Sequence, residues 1–408
     1  MKILVINLYA GSESYGMEYR PYYLGREWVR QGHDVTVVAG TYSHLRARNP
    51  WVGKDLTEEI IDGVRYVWLK TPPYGKNGVK RLISMATFVA KLRMYASRLA
   101  RTYQPDAVIA SSTFPIDFWV ARRIAAQSHG KAFFEIHDLW PLTPIALHGL
   151  SETSLVARVL WKLEDRTFAD AARIFSIVPN ADRYIKERGF DAGKFVYIPN
   201  GIVVPAEVAD VDNEQIRAVR AMKESGCFVV MYLGGFAEAN ALDELVESAA
   251  LVDDDVRIVL IGEGMGKAAM ERLAEARGSG RVVFLPPVPK PAVQATLREA
   301  DCLYIGARDC TLYQYGIGMN KIFDYMLAAK PVIMGIRASN DPIAEAGCGI
   351  TIPPQDQTAI ADAIRELRSL GVREREEMGA RGYTYVVARH DYKVLAARFA
   401  DALRAGIR

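Results

Sequence analysis

The segment Tyr315–Met334 reads YGIGMNKIFDYMLAAKPVIM and concentrates the residue types needed to hold a phosphorylated ligand. A glycine-containing loop opens a helical pattern carrying Lys321 and Asp324, and Lys330-Pro331 then turns the chain into an apolar strand. Glycines let backbone N–H groups approach a phosphate closely, and the positive end of a helix favours an anion. A lysine in the first turn adds a mobile cation for a second phosphate oxygen. Asp324, one turn on, is placed to accept hydrogen bonds from a vicinal diol such as a ribose. The pattern fits a sugar nucleotide held by its diphosphate and ribose. It fits equally a capped core helix whose charges face water.

Other motifs carry chemistry less specifically. Met231–Phe236 (MYLGGF) ends a strand with Gly234-Gly235, whose amides could meet a phosphate or simply make the turn. Ile261–Lys267 (IGEGMGK) invites a dinucleotide reading, but Gly262, Gly264 and Gly266 are spaced GxGxG rather than GxGxxG. No acidic residue ends a strand about 20 residues further on, so an NAD-dependent oxidoreductase is the weaker alternative. Asp253-Asp254-Asp255 contains a DxD triad able to hold a metal–diphosphate complex. It precedes a strand, away from any carboxyl-edge site, and reads as a solvated acidic turn; no metal is assigned.

In the first half, Glu135–Pro141 (EIHDLWP) follows a strand, so His137 emerges at the carboxyl edge of a sheet. There it can position a sugar hydroxyl or exchange a proton, or it can cap the sheet through its own hydrogen bonds. Trp140 offers a flat face to a sugar ring or lipid, or to the core. The loop Gly11–Arg20 (GSESYGMEYR) lets the chain pass close to a phosphate at Gly16, with Tyr15, Glu18 and Arg20 as candidates for acceptor contacts. Its alternative is an exposed turn.

These motifs sit in a regular alternation of short apolar runs and helical patterns, the sequence form of βαβ units and a parallel sheet. Strands are expected at Lys2–Leu8, Asp34–Ala39, Val64–Leu69, Ala107–Ser111, Lys131–Ile136 and Arg173–Val178. Helices are expected at Pro21–Gln31 and Asp117–Ser128, with Gly32 just past the end of the first. Val196–Pro205 (VYIPNGIVVP) breaks the rhythm with two prolines and a glycine, and an acidic linker follows. The alternation restarts with strands at Cys227–Leu233, Arg257–Ile261, Val282–Leu285, Cys302–Ile305, Pro331–Gly335 and Gly349–Ile352. The expected class is α/β, with two doubly wound Rossmann-like domains facing a cleft. Ligands of open α/β sheets bind outside the carboxyl ends of the strands. Domain bounds are placed at residues 1–198 and 199–378, with a last helical stretch, 379–408, packing back on the first domain.

Composition narrows the classes further. At 408 residues, half of them hydrophobic, the chain is globular and long enough for two cores. A formal charge of +3 gives no argument for nucleic acid. Cys227, Cys302, Cys310 and Cys348 show no CxxC spacing, which fits reduced residues of a cytoplasmic protein. No run approaches the roughly 18 apolar residues of a membrane span. Gly75–Arg101, however, interleaves Lys76, Lys80, Arg81, Lys91, Arg93, Arg98 and Arg101 with apolar residues and has no acid. Such a basic amphipathic helix can lie on an anionic membrane surface, or be an ordinary packing helix with a solvated face.

Taken in order, these pieces resemble the retaining GT-B glycosyltransferases of family 4. Within that family they are similar to enzymes of bacterial O-antigen, capsule and exopolysaccharide assembly. The resemblance rests on the N-terminal glycine loop, RQGHDVTVV, HDLWP, VYIPNG, YLGG, IGEG and YGIGMNKIFDYMLAAKPVI. It implies a nucleotide-sugar donor, commonly uridine-linked, and a lipid-linked saccharide acceptor, with no cofactor. It implies catalytic roles for His137, Lys321 and Asp324. The donor set it implies is Gly16, Gly234, Gly235, Gly262, Glu263, Val288, Gly318, Met319, Asn320, Lys321 and Asp324; Tyr15, Glu18, Arg20 and Trp140 form the acceptor side. Two departures stand out: the first glutamate of the family's spaced acidic pair falls on Gly316, and LGGFAEANALDEL lacks the usual base after the strand. The diphosphate-neutralising role therefore moves to Lys321. Two alternatives remain: a sugar-nucleotide 2-epimerase of the same fold, which needs no acceptor, and a non-catalytic sugar-binding protein, which would bind saccharide but not nucleotide and against which the Lys321/Asp324 helix argues.

Overall fold

The computed structural model describes residues 1–75, 78–207, 211–277 and 280–408, so Lys76 of the basic segment lies outside the described residues. The chain forms two compact units. The first comprises Met1–Gly201, Gln314–Gly318 and Tyr392–Arg408, and the second Ile202–Tyr313 and Met319–Asp391.

In the first unit the strands are β1 (Lys2–Ile6), β2 (Asp34–Gly40), β3 (Thr57–Ile61), β4 (Val64–Leu69), β5 (Ala107–Ala110), β6 (Lys131–Ile136), β7 (Ile174–Ser176) and β8 (Phe195–Tyr197). They form one sheet in the order β3-β4-β2-β1-β5-β6-β7-β8. Every pairing is parallel except β3 with β4, a hairpin closed at Asp62-Gly63, where both residues take positive φ as a tight two-residue turn requires. The helices are α1 (Arg20–Arg30), α2 (Val79–Tyr103), α3 (Phe118–Ser128), α4 (Leu142–His148), α5 (Leu155–Asp170) and α6 (Ala181–Glu187). One core layer joins Phe88 and Leu92 of α2, Phe118 and Ile124 of α3 and Phe168 of α5 to the sheet.

The second sheet contains β9 (Phe228–Leu233), β10 (Val256–Ile261), β11 (Val282–Leu285), β12 (Cys302–Gly306), β13 (Val332–Gly335) and β14 (Gly349–Thr351). Its order is β11-β10-β9-β12-β13-β14, with parallel pairing throughout. Around it lie α7 (Glu214–Glu224), α8 (Leu242–Ser248), α9 (Lys267–Ala276), α10 (Val293–Arg298), α11 (Asn320–Leu327), α12 (Pro342–Ala346), α13 (Gln357–Ser369) and α14 (Val372–His390). Both sheets have the strand reversal of doubly wound folds, in which the edge carrying the strands' carboxyl ends collects ligand-binding loops.

The last helix, α15 (Tyr392–Ile407), belongs to the first unit. It packs on α1, where the Trp28 indole N–H donates to the Ala396 carbonyl at 2.9 Å and Phe399 meets Trp28 edge-on. The expected single helical stretch is thus two helices, broken at Asp391. A second excursion is shorter: Tyr315 joins the core of the first unit, its hydroxyl donating to Glu187 at 2.6 Å.

Candidate active site

In the second unit, α11 opens at Met319 with no side chain capping its amino end. The helix is fixed to the sheet by the buried Tyr325, whose hydroxyl accepts from the Leu233 N–H at 2.9 Å and contacts the Leu233 carbonyl at 3.1 Å. Lys321, one turn before Tyr325 on the same face, is thereby held against the end of β9. Its Nζ donates to the Tyr232 hydroxyl at 2.9 Å and to Asn240 Oδ1 at 2.8 Å, and it lies over the Tyr232 ring. No carboxylate among the described residues forms an ion pair with it, and burial lowers its pKa to about 8. A partly desolvated cation with neutral partners alone is costly, so an arriving anion gains from its charge.

Asp324 sits one turn further on. Burial raises its carboxyl to about 6, against the opposing pull of Lys290 in the loop after β11. Val288 is half-buried in that same loop. Gln294 donates to the Asp324 backbone carbonyl at 3.0 Å and holds α11 from its other side.

The glycines around this helix divide by cause. A side chain at Gly234 would touch Lys321 Cδ and the Tyr232 hydroxyl at 3.0 Å, and one at Gly262 would lie 2.0 Å from the Gly234 carbonyl. Gly264 would clash likewise with the Phe236 backbone. The IGEG glycines therefore let the turns after β9 and β10 pack together, linked by Gly234 N–H to the Ile261 carbonyl at 3.0 Å and Phe236 N–H to the Glu263 carbonyl at 2.9 Å. Gly235 has open space beside it, the nearest atom being the Glu263 carbonyl at 3.8 Å. The Glu263 side chain is exposed and pairs with Lys267 at 2.9 Å. Asn320 is exposed at the start of α11. Gly318 lies in the first unit, and its carbonyl accepts from Asn200 Nδ2 at 2.7 Å. Asp253, Asp254 and Asp255 pair with Arg368 and Arg281.

In the first unit, His137 follows β6 directly and is largely buried. Its Nε2 lies 3.0 Å from Ser111 Oγ and 3.3 Å from Glu135 Oε2. Burial alone would lower its pKa, but the hydrogen bond and charge of Glu135, with Glu18 adding to them, raise it above the ordinary value. Glu135 is itself buried, and although burial opposes ionisation, Arg20, His137 and Ser111 hold its carboxyl far below the usual range. Asp117, at the turn into α3, is pushed by burial up to about 7 and feels the His137 charge.

Arg20 differs from its expected place on the acceptor side. Its guanidinium is 1% exposed and donates to Glu135 Oε1 at 2.8 Å and to the Ile198 and Pro199 carbonyls at 2.8 and 2.6 Å. It acts from beneath, fixing the carboxylate that orients His137. Tyr15 is also engaged, donating to Glu59 at 3.0 Å and packing edge-on against Trp68. The Gly16 N–H bonds to the Ser12 carbonyl at 2.7 Å, and a side chain there would meet Ala47 N at 2.7 Å, so packing accounts for this glycine. Trp140 rests partly on the core. We expect Arg20→Met to destabilise the protein by about 3–5 kcal/mol in urea unfolding, because it leaves Glu135 buried without its cation.

Two family models match the chain: a glycosyl transferase 4-like domain over residues 15–201 and glycosyl transferases group 1 over residues 227–369. The chain belongs to the GT-B glycosyltransferases of family 4. A protein of Escherichia coli (strain K12) named as a colanic acid biosynthesis glycosyl transferase, WcaI, is 25% identical over 337 residues, covering 76% of this chain and 79% of that one. WbjE of Pseudomonas aeruginosa, named as a glycosyltransferase, is 22% identical over 312 residues, 74% of this chain and 75% of that one. Among solved structures, a sucrose-phosphate synthase from Thermosynechococcus elongatus superposes with a TM-score of 0.72 at 17% identity, covering 99% of both chains. HepE of Anabaena, solved with UDP and glucose, gives 0.67 at 16% identity over 99% of this chain and 100% of that one. These likenesses carry the fold of the glycosyltransferase.

Tyr232, Asn240, Lys290, Gln294, Ser111, Asp117 and Glu135 were not among the expected site residues. Glu135 alone left a signal, as a charge among the apolar residues that follow Lys131 in the strand KAFFEI.

Proposed function

We propose that this glycosyltransferase moves a sugar from a UDP-linked donor to a hydroxyl of a lipid-linked saccharide, with retention, in the assembly of a cell-surface polysaccharide. The observation that carries the donor half is Lys321, a half-buried ammonium with neutral partners only, beside an uncapped helix start. The family and the name of the E. coli relative support sugar transfer in polysaccharide assembly, and the UDP bound by HepE supports the uridine donor; retention and the lipid-linked acceptor rest on the sequence resemblance.

In this reading the bond from the anomeric carbon to the diphosphate oxygen breaks while positive charge develops on the sugar. Lys321 and the amides at the start of α11 stabilise the departing diphosphate, as preorganised charge does wherever an anion forms. The acceptor hydroxyl oxygen bonds to the anomeric carbon on the face the diphosphate leaves, and its proton passes to the leaving phosphate oxygen. Asp324 accepts from the ribose hydroxyls, and His137 is assigned the sugar contact. An acceptor anchored in lipid requires access to a membrane surface, for which the basic segment 76–101 is the candidate. Of its described bases, Lys91 is paired with Asp55 at 3.0 Å and Arg81 bonds to Tyr9, while Lys80, Arg93, Arg98 and Arg101 are exposed. No described helix is long and apolar enough to cross a membrane.

Thermal shift with UDP, GDP and NAD tests the donor assignment. UDP at about 100 times its dissociation constant should add roughly 2.7 kcal/mol of stability. Asp324→Asn should reduce the preference for UDP over its 2′-deoxy counterpart by about ten-fold, the size of one charge-assisted hydrogen bond. Stabilisation by NAD and not by UDP would reject the proposal.

A further inference from the structure

Exposed large apolar side chains are unevenly spread over the described surface of the first unit. Trp51 is 93% exposed, Leu82 and Ile83 stand out on the first turns of α2, and Leu155, Val156 and Val159 on those of α5, with Leu155 77% exposed. In a parallel α/β sheet each strand's carboxyl end leads into the amino end of the next helix. The loop after β2, which carries Trp51, and the start of α2 therefore lie at the sheet edge from which His137 emerges, and so does the start of α5, whose other end runs directly into the amino end of β7. They also share one face of the sheet, since α2, α3 and α5 contribute to a single core layer. Contacts join them: Arg166 of α5 lies over the Trp119 ring of α3, 5.1 Å from its centre, and Lys91 of α2 ties to Asp55 beside the Trp51 loop.

The charges are one-sided. No acidic residue occurs from Ser43 to Lys54 or from Val79 to Tyr103, and exposed Arg158 and Lys162 interleave with the apolar residues of α5. The acids nearby are Glu152, Asp138 after β6, and Asp55, which is paired with Lys91. Single exposed apolar residues are ordinary, but apolar side chains alternating with bases across several elements of one edge match an anionic bilayer. The apolar groups enter the headgroup boundary while the bases meet lipid phosphates. A second copy of this face would bring like charges together.

We propose that this apolar and basic rim docks the first unit on an anionic bilayer, and that it is the rim, not the length of α2, that meets the lipid. The idea rests on the lipid-linked acceptor reading and deepens it: docking would turn the His137 edge toward the headgroups. Arg98 and Arg101, in the last turns of α2, lie at the opposite sheet edge and are secondary.

The test is flotation of the full chain with vesicles of phosphatidylglycerol and phosphatidylcholine, and with phosphatidylcholine alone. The wild type should float with the anionic vesicles only. Leu155→Ser/Val156→Ser/Val159→Ser should lower the bound fraction by about ten-fold or more, and Arg98→Gln/Arg101→Gln by about two-fold or less. A UDP thermal shift on the same samples should be equal in wild type and rim variant, which shows that the variant folds. Unchanged flotation of the rim variant overturns the docking surface, as does a concentration-dependent dimer that the same substitutions abolish. Flotation as expected with no UDP shift in the wild type upholds the surface and rejects the donor reading.

Discussion

Lys321→Met is expected to weaken UDP binding by roughly 100-fold, about 3 kcal/mol, while leaving the unliganded protein as stable as before or more so. The two effects have one cause. In the free protein the ammonium is desolvated beside Tyr232 and Asn240, and methionine fills a similar volume without that cost. With diphosphate present, the same charge faces an anion in a low-dielectric setting and contributes strongly. Titration calorimetry for affinity and urea unfolding for stability separate the terms. The pH dependence carries a definite sign. Burial lowers the folded pKa of Lys321 to about 8 from an ordinary 10.5, so it binds its proton more weakly folded than unfolded. Its contribution to unliganded stability should therefore rise between pH 8 and 10.5. UDP affinity should instead be flat only between about pH 7 and 8, fall above that as Lys321 loses its proton, by up to ten-fold per unit, and fall below it as Asp324 and the terminal phosphate gain theirs. A variant that binds UDP as tightly as wild type would remove Lys321 from the donor site.

His137→Ala should lower kcat by about 10²–10⁴ while sparing the UDP thermal shift. His137 is held by Ser111 and Glu135, and Glu135 by Arg20, so the imidazole is preorganised and its proton retained above the ordinary range. Because the folded pKa is raised, the stability that this proton contributes is present below pH 6.5 and is lost as pH rises through the folded value. If the protonated ring acts on the sugar, activity should fall on the alkaline side of that value. Glu135→Gln removes the charge that raises it, and the alkaline limb should then move to lower pH. A fully active His137→Ala enzyme would end the assignment.

The order of elements was legible because each reports itself locally. An apolar run of β-branched residues such as VRIVLI is a strand wherever it is placed, and Gly32 marks the end of α1 through the backbone it permits. The α/β class and the Lys321/Asp324 helix followed from such signals. The strand Thr57–Ile61 was missed: TEEII lies at a sheet edge, and its acidic residues obscured the Asp62-Gly63 hairpin turn that the sequence does contain. Asp391 as a helix break was likewise hidden in a continuous helical pattern.

What the sequence determined by itself was the alternation of strands and helices, the glycine turns, and which charged residues fall at strand ends and helix starts. Only the tertiary structure decided what those charges face. Arg20 and Lys321 are both bases near a helix start, yet Arg20 is buried on a carboxylate and two carbonyls, while Lys321 meets neutral oxygens alone. That difference arises between residues more than 80 positions apart in the chain, such as Arg20 with Glu135 and Lys321 with Asn240. Local propensity acts over a few residues, whereas a side chain's electrostatic state is set by whatever the folded chain brings within a few ångströms of it.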